Sequence, residues 1–251
     1  MLSTEIIGKP TAKPPLLIAH GLFGSARNWG VIAKRLSDER QVVAVNMRNH
    51  GSSRWYDSHS YHDMAADLAE VIGAFGGQMD VLGHSMGGKA AMVLALKYPG
   101  LVNRLIIADI APVGYLHTQM HLIDAMQGVD LKVVEKRSDA ADQLAQIEDT
   151  MVRAFLLQSL DIKARKWQLN LPVLGAEMDK IIGFPAVEGH FEEAVFILSG
   201  GESSYVQNDA RQGIKALFPK VRFAKIPGAG HWLHAEKPRE FEAAVRAFLN
   251  M

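Results

Sequence analysis

The chain has no cysteine among its 251 residues. That one absence excludes disulfides, CxxC redox chemistry, thiolate metal sites and a cysteine nucleophile. An excess of charge is missing too: Lys and Arg number 27, and so do Asp and Glu. With no net field and no clustered basic stripe, nothing draws the chain to nucleic acid or to an anionic membrane. Apolar runs such as Ala90 to Leu96 fall far short of the roughly 18–20 residues that a membrane span needs. Met1 to Thr11 lacks a basic segment followed by an apolar stretch, so no secretory signal is read there and a cytoplasmic protein is expected. What is present is ordinary for a globular chain, 48% hydrophobic and 22% charged. At this length roughly 70% of the surface is buried on folding, enough for a core without staples or metals.

The first half alternates short apolar runs with helical patterns. Pro15 to Ala19 and Gln41 to Val45 are strand-like, as is Leu105 to Ala108. Met64, Leu68, Val71 and Phe75 form one helical stripe, and Ala90 to Leu96 another apolar helix. This rhythm predicts an α/β fold with a mostly parallel sheet flanked by helices. It breaks near Pro112. From Val113 to His190 the pattern is helical without strand candidates, Ser138 capping one helix and Ile147 to Leu157 forming another. Strand signals return at Ala194 to Leu198 and Val221 to Ile226, before a final helix after Pro238. The expected organisation is a core of residues 1–112 and 191–251 with a helical cap, 113–190, over the sheet's C-terminal edge, where open α/β sheets place ligands.

Gly83-His84-Ser85-Met86-Gly87 runs from a strand into a helix. A Gly-x-Ser-x-Gly turn in that setting exposes a serine hydroxyl on a strained elbow, which makes Ser85 the candidate nucleophile. The N–H of Met86 then faces a developing oxyanion. His20-Gly21-Leu22-Phe23-Gly24 follows the first parallel strand and offers a second donor, Leu22, with Phe23 the alternative one residue on.

The base is sought among ten histidines. His20, His50 and His84 flank glycines and read as structural hydrogen-bonders. His117 and His121 are four apart on an expected helix face, the spacing of a zinc pair. No glutamate stands in the general-base position and no third ligand is evident, so no metal is assigned. His231, in Gly230-His231-Trp232 just past the last strand, is the candidate base, with His234 in reserve. Three carboxylates compete to orient it: Asp109 at a strand end, Glu202 after the later strand, and Asp179 in the cap. Asp109 is preferred, because a short carboxylate at a strand end is held tightly. Phe23 and Trp232 are candidate apolar walls of a substrate cleft, core packing being the equal alternative.

Taken together, His20 to Ser25, Arg48-Asn49-His50-Gly51, Gly83 to Lys89, Asp109 to Pro112 and Gly230 to Trp232 resemble the α/β-hydrolase superfamily. Within it they resemble the YbfF-like bacterial esterases and their mitochondrial relatives. The resemblance implies a cofactor-free serine carboxylesterase acting on short-chain acyl esters or thioesters, with small-molecule substrates rather than macromolecular partners. It also supports Asp109, since such proteins use the earlier strand end. Asn46 stands where many relatives have Asp, and Glu202 where close ones have Asn. The competing expectations are a C–C bond hydrolase or lyase on the same scaffold, and a receptor that uses the covered pocket only to bind.

Overall fold

In the computed structural model, which describes residues 1–251, the β-branched and aliphatic runs become strands. These are β1 (Thr4–Ile7), β2 (Leu16–Ala19), β3 (Val42–Val45), β4 (Met79–His84) and β5 (Val102–Ala108). The early helices are α1 (Gly30–Leu36), α2 (Tyr61–Ala74) and α3 (Met86–Lys97). The central stretch holds α4 (Met120–Gln127), α5 (Arg137–Gln143) and α6 (Thr150–Leu157). A short hairpin of two-residue strands, β6 (Leu160–Asp161) with β7 (Lys166–Trp167), leads to α7 (Leu171–Ala176) and α8 (Met178–Ile182). The chain then returns to the sheet with β8 (Val195–Gly200), α9 (Ala210–Leu217), β9 (Val221–Ile226), α10 (Leu233–Glu236) and α11 (Pro238–Leu249).

The seven-stranded sheet has the order β1-β3-β2-β4-β5-β8-β9 and is parallel except for β1, which pairs antiparallel with β3 at the edge. Alternation along each strand divides the core between the two faces. Leu16, Ile18, Val42 and Ala44 join the layer under α1 and α11, while Leu17, Ala19, Val43 and Val45 join the layer under α2 and α3. Apolar side chains of the central helices, including Leu122, Leu156 and Leu174, belong to that second layer as well.

Three expectations need correction. β1 went unread, because an edge strand of four half-buried or exposed residues carries no apolar run. The central stretch is not purely helical: β6 and β7 pair antiparallel, and Leu169 bridges to His50 in the core. Ser138 does not cap α5, since the preceding Lys136 is the extended N-cap residue and Ser138 lies inside the helix.

Candidate active site

β4 feeds α3 through one residue, Ser85, at φ 51° and ψ −120°. For a residue with a side chain that geometry costs on the order of 1–3 kcal/mol and persists only when its surroundings dictate it. Here they do. The Ser85 N–H donates to the Ala108 carbonyl at 3.1 Å, and the Ser85 carbonyl accepts from the Lys89 N–H at 3.0 Å. Gly83 and Gly87 permit the crossing: a Cβ on Gly83 would sit 2.3 Å from the Gly87 carbonyl oxygen, and one on Gly87 2.4 Å from that of Ala19.

Asp109 follows β5 directly, at φ 52°, and is fully buried at 0% exposure. Its Oδ2 lies 2.7 Å from His231 Nδ1 and also accepts from the Ser203 hydroxyl, while its Oδ1 accepts from the Gly200 N–H at 3.0 Å. A carboxylate only accepts, so Nδ1 carries the ring proton and Nε2 the lone pair. Glu202 and Asp179 are exposed and neither reaches His231. The loop bearing His231 crosses β8 closely, for a Cβ on Gly200 would meet the Gly230 carbonyl oxygen at 2.2 Å. His84 fastens that loop to the elbow by donating from Nε2 to the His231 carbonyl at 2.9 Å.

The register of the glycine-rich loop follows from a distant residue. Phe23, at φ 63°, donates its N–H to His50 Nε2 at 3.2 Å, whereas the N–H groups of Leu22 and Met86 have no acceptor. Leu22 and Met86 are therefore the pair with donors to offer. His50 Nδ1 in turn donates to the Arg48 carbonyl at 2.8 Å. His20 donates from Nδ1 to the Gly21 carbonyl at 2.8 Å and accepts the Met47 N–H on Nε2 at 2.9 Å. Both rings are thus neutral with fixed tautomers. Burial pushes His20 down to about 3, with the neighbouring His50 adding to it, and burial pushes His50 itself down to about 4. Asn46 is equally structural, accepting the Ala26 N–H at 2.9 Å and donating to Ser3 Oγ.

Two further candidates are not free for the roles weighed for them. His117 lies in the loop before α4 and spends Nε2 on the Tyr205 hydroxyl at 2.9 Å, so it shares no helix face with His121. His234 is buried in a stack on Trp29, with ring centres 4.1 Å apart, and burial lowers it to about 3. Two residues at the site carried no signal. Ser203 is the second donor to Asp109 Oδ2, and Tyr205 stacks on the His231 ring at 4.0 Å between centres. Nothing in Glu202-Ser203-Ser204 separates a carboxylate partner from a turn; only its place just after a strand at the sheet's C-terminal edge hints at it.

These groups open on a cavity of about 530 Å³ between the strand ends and the central helices. Phe23 and Trp232 both line it, and Trp232 packs against Phe155 of α6 with ring centres 5.7 Å apart. No helix is long and apolar enough to cross a membrane.

Comparison with known proteins agrees with this fold. Residues 14–238 match the family model described as the alpha/beta hydrolase fold. The chain is 38% identical to sn-1-specific diacylglycerol lipase ABHD11 of Mus musculus, over 99% of this chain and 85% of the mouse protein. It is 38% identical to esterase YbfF of Escherichia coli K12, over 94% of this chain and 93% of that one. Among solved structures a marine microorganism esterase superposes with a TM-score of 0.93 at 35% identity, covering 98% of both chains. Sequence, fold and site geometry converge: the chain belongs to the α/β-hydrolase family.

Proposed function

We propose that this chain is a serine carboxylesterase that cleaves acyl esters or thioesters through an acyl-enzyme. The observation that carries the reading is the buried Asp109 carboxylate on His231 Nδ1, at the same sheet edge as the strained Ser85 elbow. In this reading His231 Nε2 takes the Ser85 proton as Oγ attacks the acyl carbonyl. The free N–H groups of Leu22 and Met86 receive the oxyanion, and each such donor supplies about 3–4 kcal/mol of transition-state stabilisation. His231 then protonates the leaving alcohol or thiol. Water, activated by the same nitrogen, releases the acid.

The names of its relatives, an esterase and a diacylglycerol lipase, favour ester substrates with apolar acyl chains. A cavity of about 530 Å³ favours short to medium ones, since each methylene adds about 0.8 kcal/mol of burial only while there is room for it. The test is a panel of p-nitrophenyl esters from acetate to palmitate, with fluorophosphonate labelling located by mass spectrometry. Efficiency is expected to rise briefly with length and then fall, and the adduct to sit on Ser85. A label elsewhere, or no ester turnover at any length, overturns the proposal.

A further inference from the structure

Lys89 sits one turn along α3 from Ser85, and its own N–H is bonded to the Ser85 carbonyl. The side chain is only 1% exposed. Its Nζ donates to the Ile182 carbonyl at 2.9 Å and to the Gly183 carbonyl at 2.6 Å, at the C-terminal end of α8. The Tyr115 ring lies 4.7 Å from it and the Tyr61 ring 5.8 Å. No carboxylate answers the charge, and burial alone pushes the amine down to about 7. An ammonium has three N–H donors, and the third has no acceptor.

Tying α3 to the central helices accounts for two hydrogen bonds but not for a cation. A neutral amide would donate to the same carbonyls without the several kcal/mol needed to desolvate a charge, and lysine is almost never fully buried unless paired. Lys89 also lines the cavity, beside Tyr61, Tyr115, Ile110, Ile181 and Ile182. These five neighbours are aliphatic or aromatic and none carries a charge, and a bound anion would supply both the missing acceptor and the missing counter-charge. The leaving group has to depart while the acyl group stays on the serine, so a cation fixed in the cavity wall suits the acyl part.

We propose that Lys89 is an anion subsite for acyl groups that end in a carboxylate, making half-esters of dicarboxylic acids favoured substrates. This rests on the serine-esterase reading above. The titratable groups facing Lys89 are Tyr61 from α2 and Tyr115 from the loop after β5, while α8 presents only carbonyls. Burial raises both phenols, so they stay neutral across the working range. The charge that meets the substrate carboxylate is then governed by Lys89 itself.

The experiment compares monoethyl esters of succinate through adipate with ethyl esters of monocarboxylic acids of equal chain length. The readout is the ratio of their kcat/KM values, which cancels any pH effect common to the two series. At the best length the ratio is expected to favour the half-ester by about tenfold or more at pH 6.5, the lower end for a hydrogen bond between charged groups. It should decline as pH rises beyond 7, and fall by a similar factor in Lys89→Met. A ratio at or below one at every length, or one that Lys89→Met leaves unchanged, overturns the proposal. Should that variant not fold, a wild-type ratio that stays flat with pH overturns it equally. Neutral esters turned over through Ser85 with no half-ester preference would remove the Lys89 subsite alone. Failure to turn over either series would remove the esterase reading with it.

Discussion

Asp109→Asn changes one atom in a carboxyl group that receives three donors: His231 Nδ1–H, the Ser203 hydroxyl and the Gly200 N–H. The amide has one oxygen and one NH2, and the two ways of placing it have different costs. With the NH2 towards Gly200, two fixed donors face each other in a fully buried place, and an unsatisfied buried group costs about 1–3 kcal/mol. With the NH2 towards His231, Ser203 rotates to accept and the imidazole moves its proton to Nε2. That second arrangement leaves no two fixed donors facing each other, so it wins, and it leaves His231 with no lone pair towards the serine. The same exchange in serine proteases costs about 10⁴-fold in kcat, or about 5.5 kcal/mol of barrier, and a loss of that order is expected here. The assay is kcat for p-nitrophenyl butyrate, alongside a circular-dichroism melt showing that the fold is kept. Activity within tenfold of wild type in a folded variant would refute the orientation argument. A crippling loss in Glu202→Gln or Asp179→Asn instead would move the acid there.

Ser85→Ala should keep the fold and abolish turnover, and residual ester hydrolysis within tenfold of wild type would dismiss the nucleophile. Gly200→Ala forces a Cβ against the Gly230 carbonyl and displaces the loop carrying His231. Small misplacements of this kind cost on the order of 10²-fold, so a wild-type rate in the alanine variant would show the close approach to be irrelevant. Acid should weaken the fold. His20 and His50 bind a proton below about 6.5 when unfolded but only near 3 and 4 when folded. Their contribution is thus complete above 6.5 and is lost as pH falls, by up to about 2 kcal/mol each between pH 6.5 and 5. Denaturant melts across that range measure it, and a flat profile would mean that these rings are solvated.

The site was legible in the sequence where the chemistry is local. Ser85 is marked by glycines that its turn needs for backbone contact, Asp109 by following β5 directly, and His231 by its glycine-rich loop just past β9. Leu22 against Phe23 was undecided, because the deciding acceptor, His50, lies on another loop and reaches Phe23 only in the folded chain. Ser203 and Tyr205 lacked any local mark for the same reason, since their partners Asp109 and His231 come from other segments. His117 and His121 were paired on an expected helix that begins only at Met120. The strands of the parallel sheet read well because burial on both faces makes them unbroken apolar runs, whereas β1, open to solvent, leaves no such run.

The central helices have no apolar nucleus apart from the layer they share with α2 and α3. Two further seams, Gly51 N–H to the Gln168 carbonyl at 2.7 Å and Asn170 N–H to the Asn49 carbonyl at 3.0 Å, stitch the connection between β7 and α7 to the loop between β3 and α2. Such a segment has no melting transition of its own, and it protects its amides from exchange only as long as the sheet does. It is also not interchangeable. Grafting the corresponding stretch of a relative onto this sheet would expose a wall of the core unless α2 and α3 were repacked with it, so changes in the cavity's walls are coupled to changes beneath Ser85.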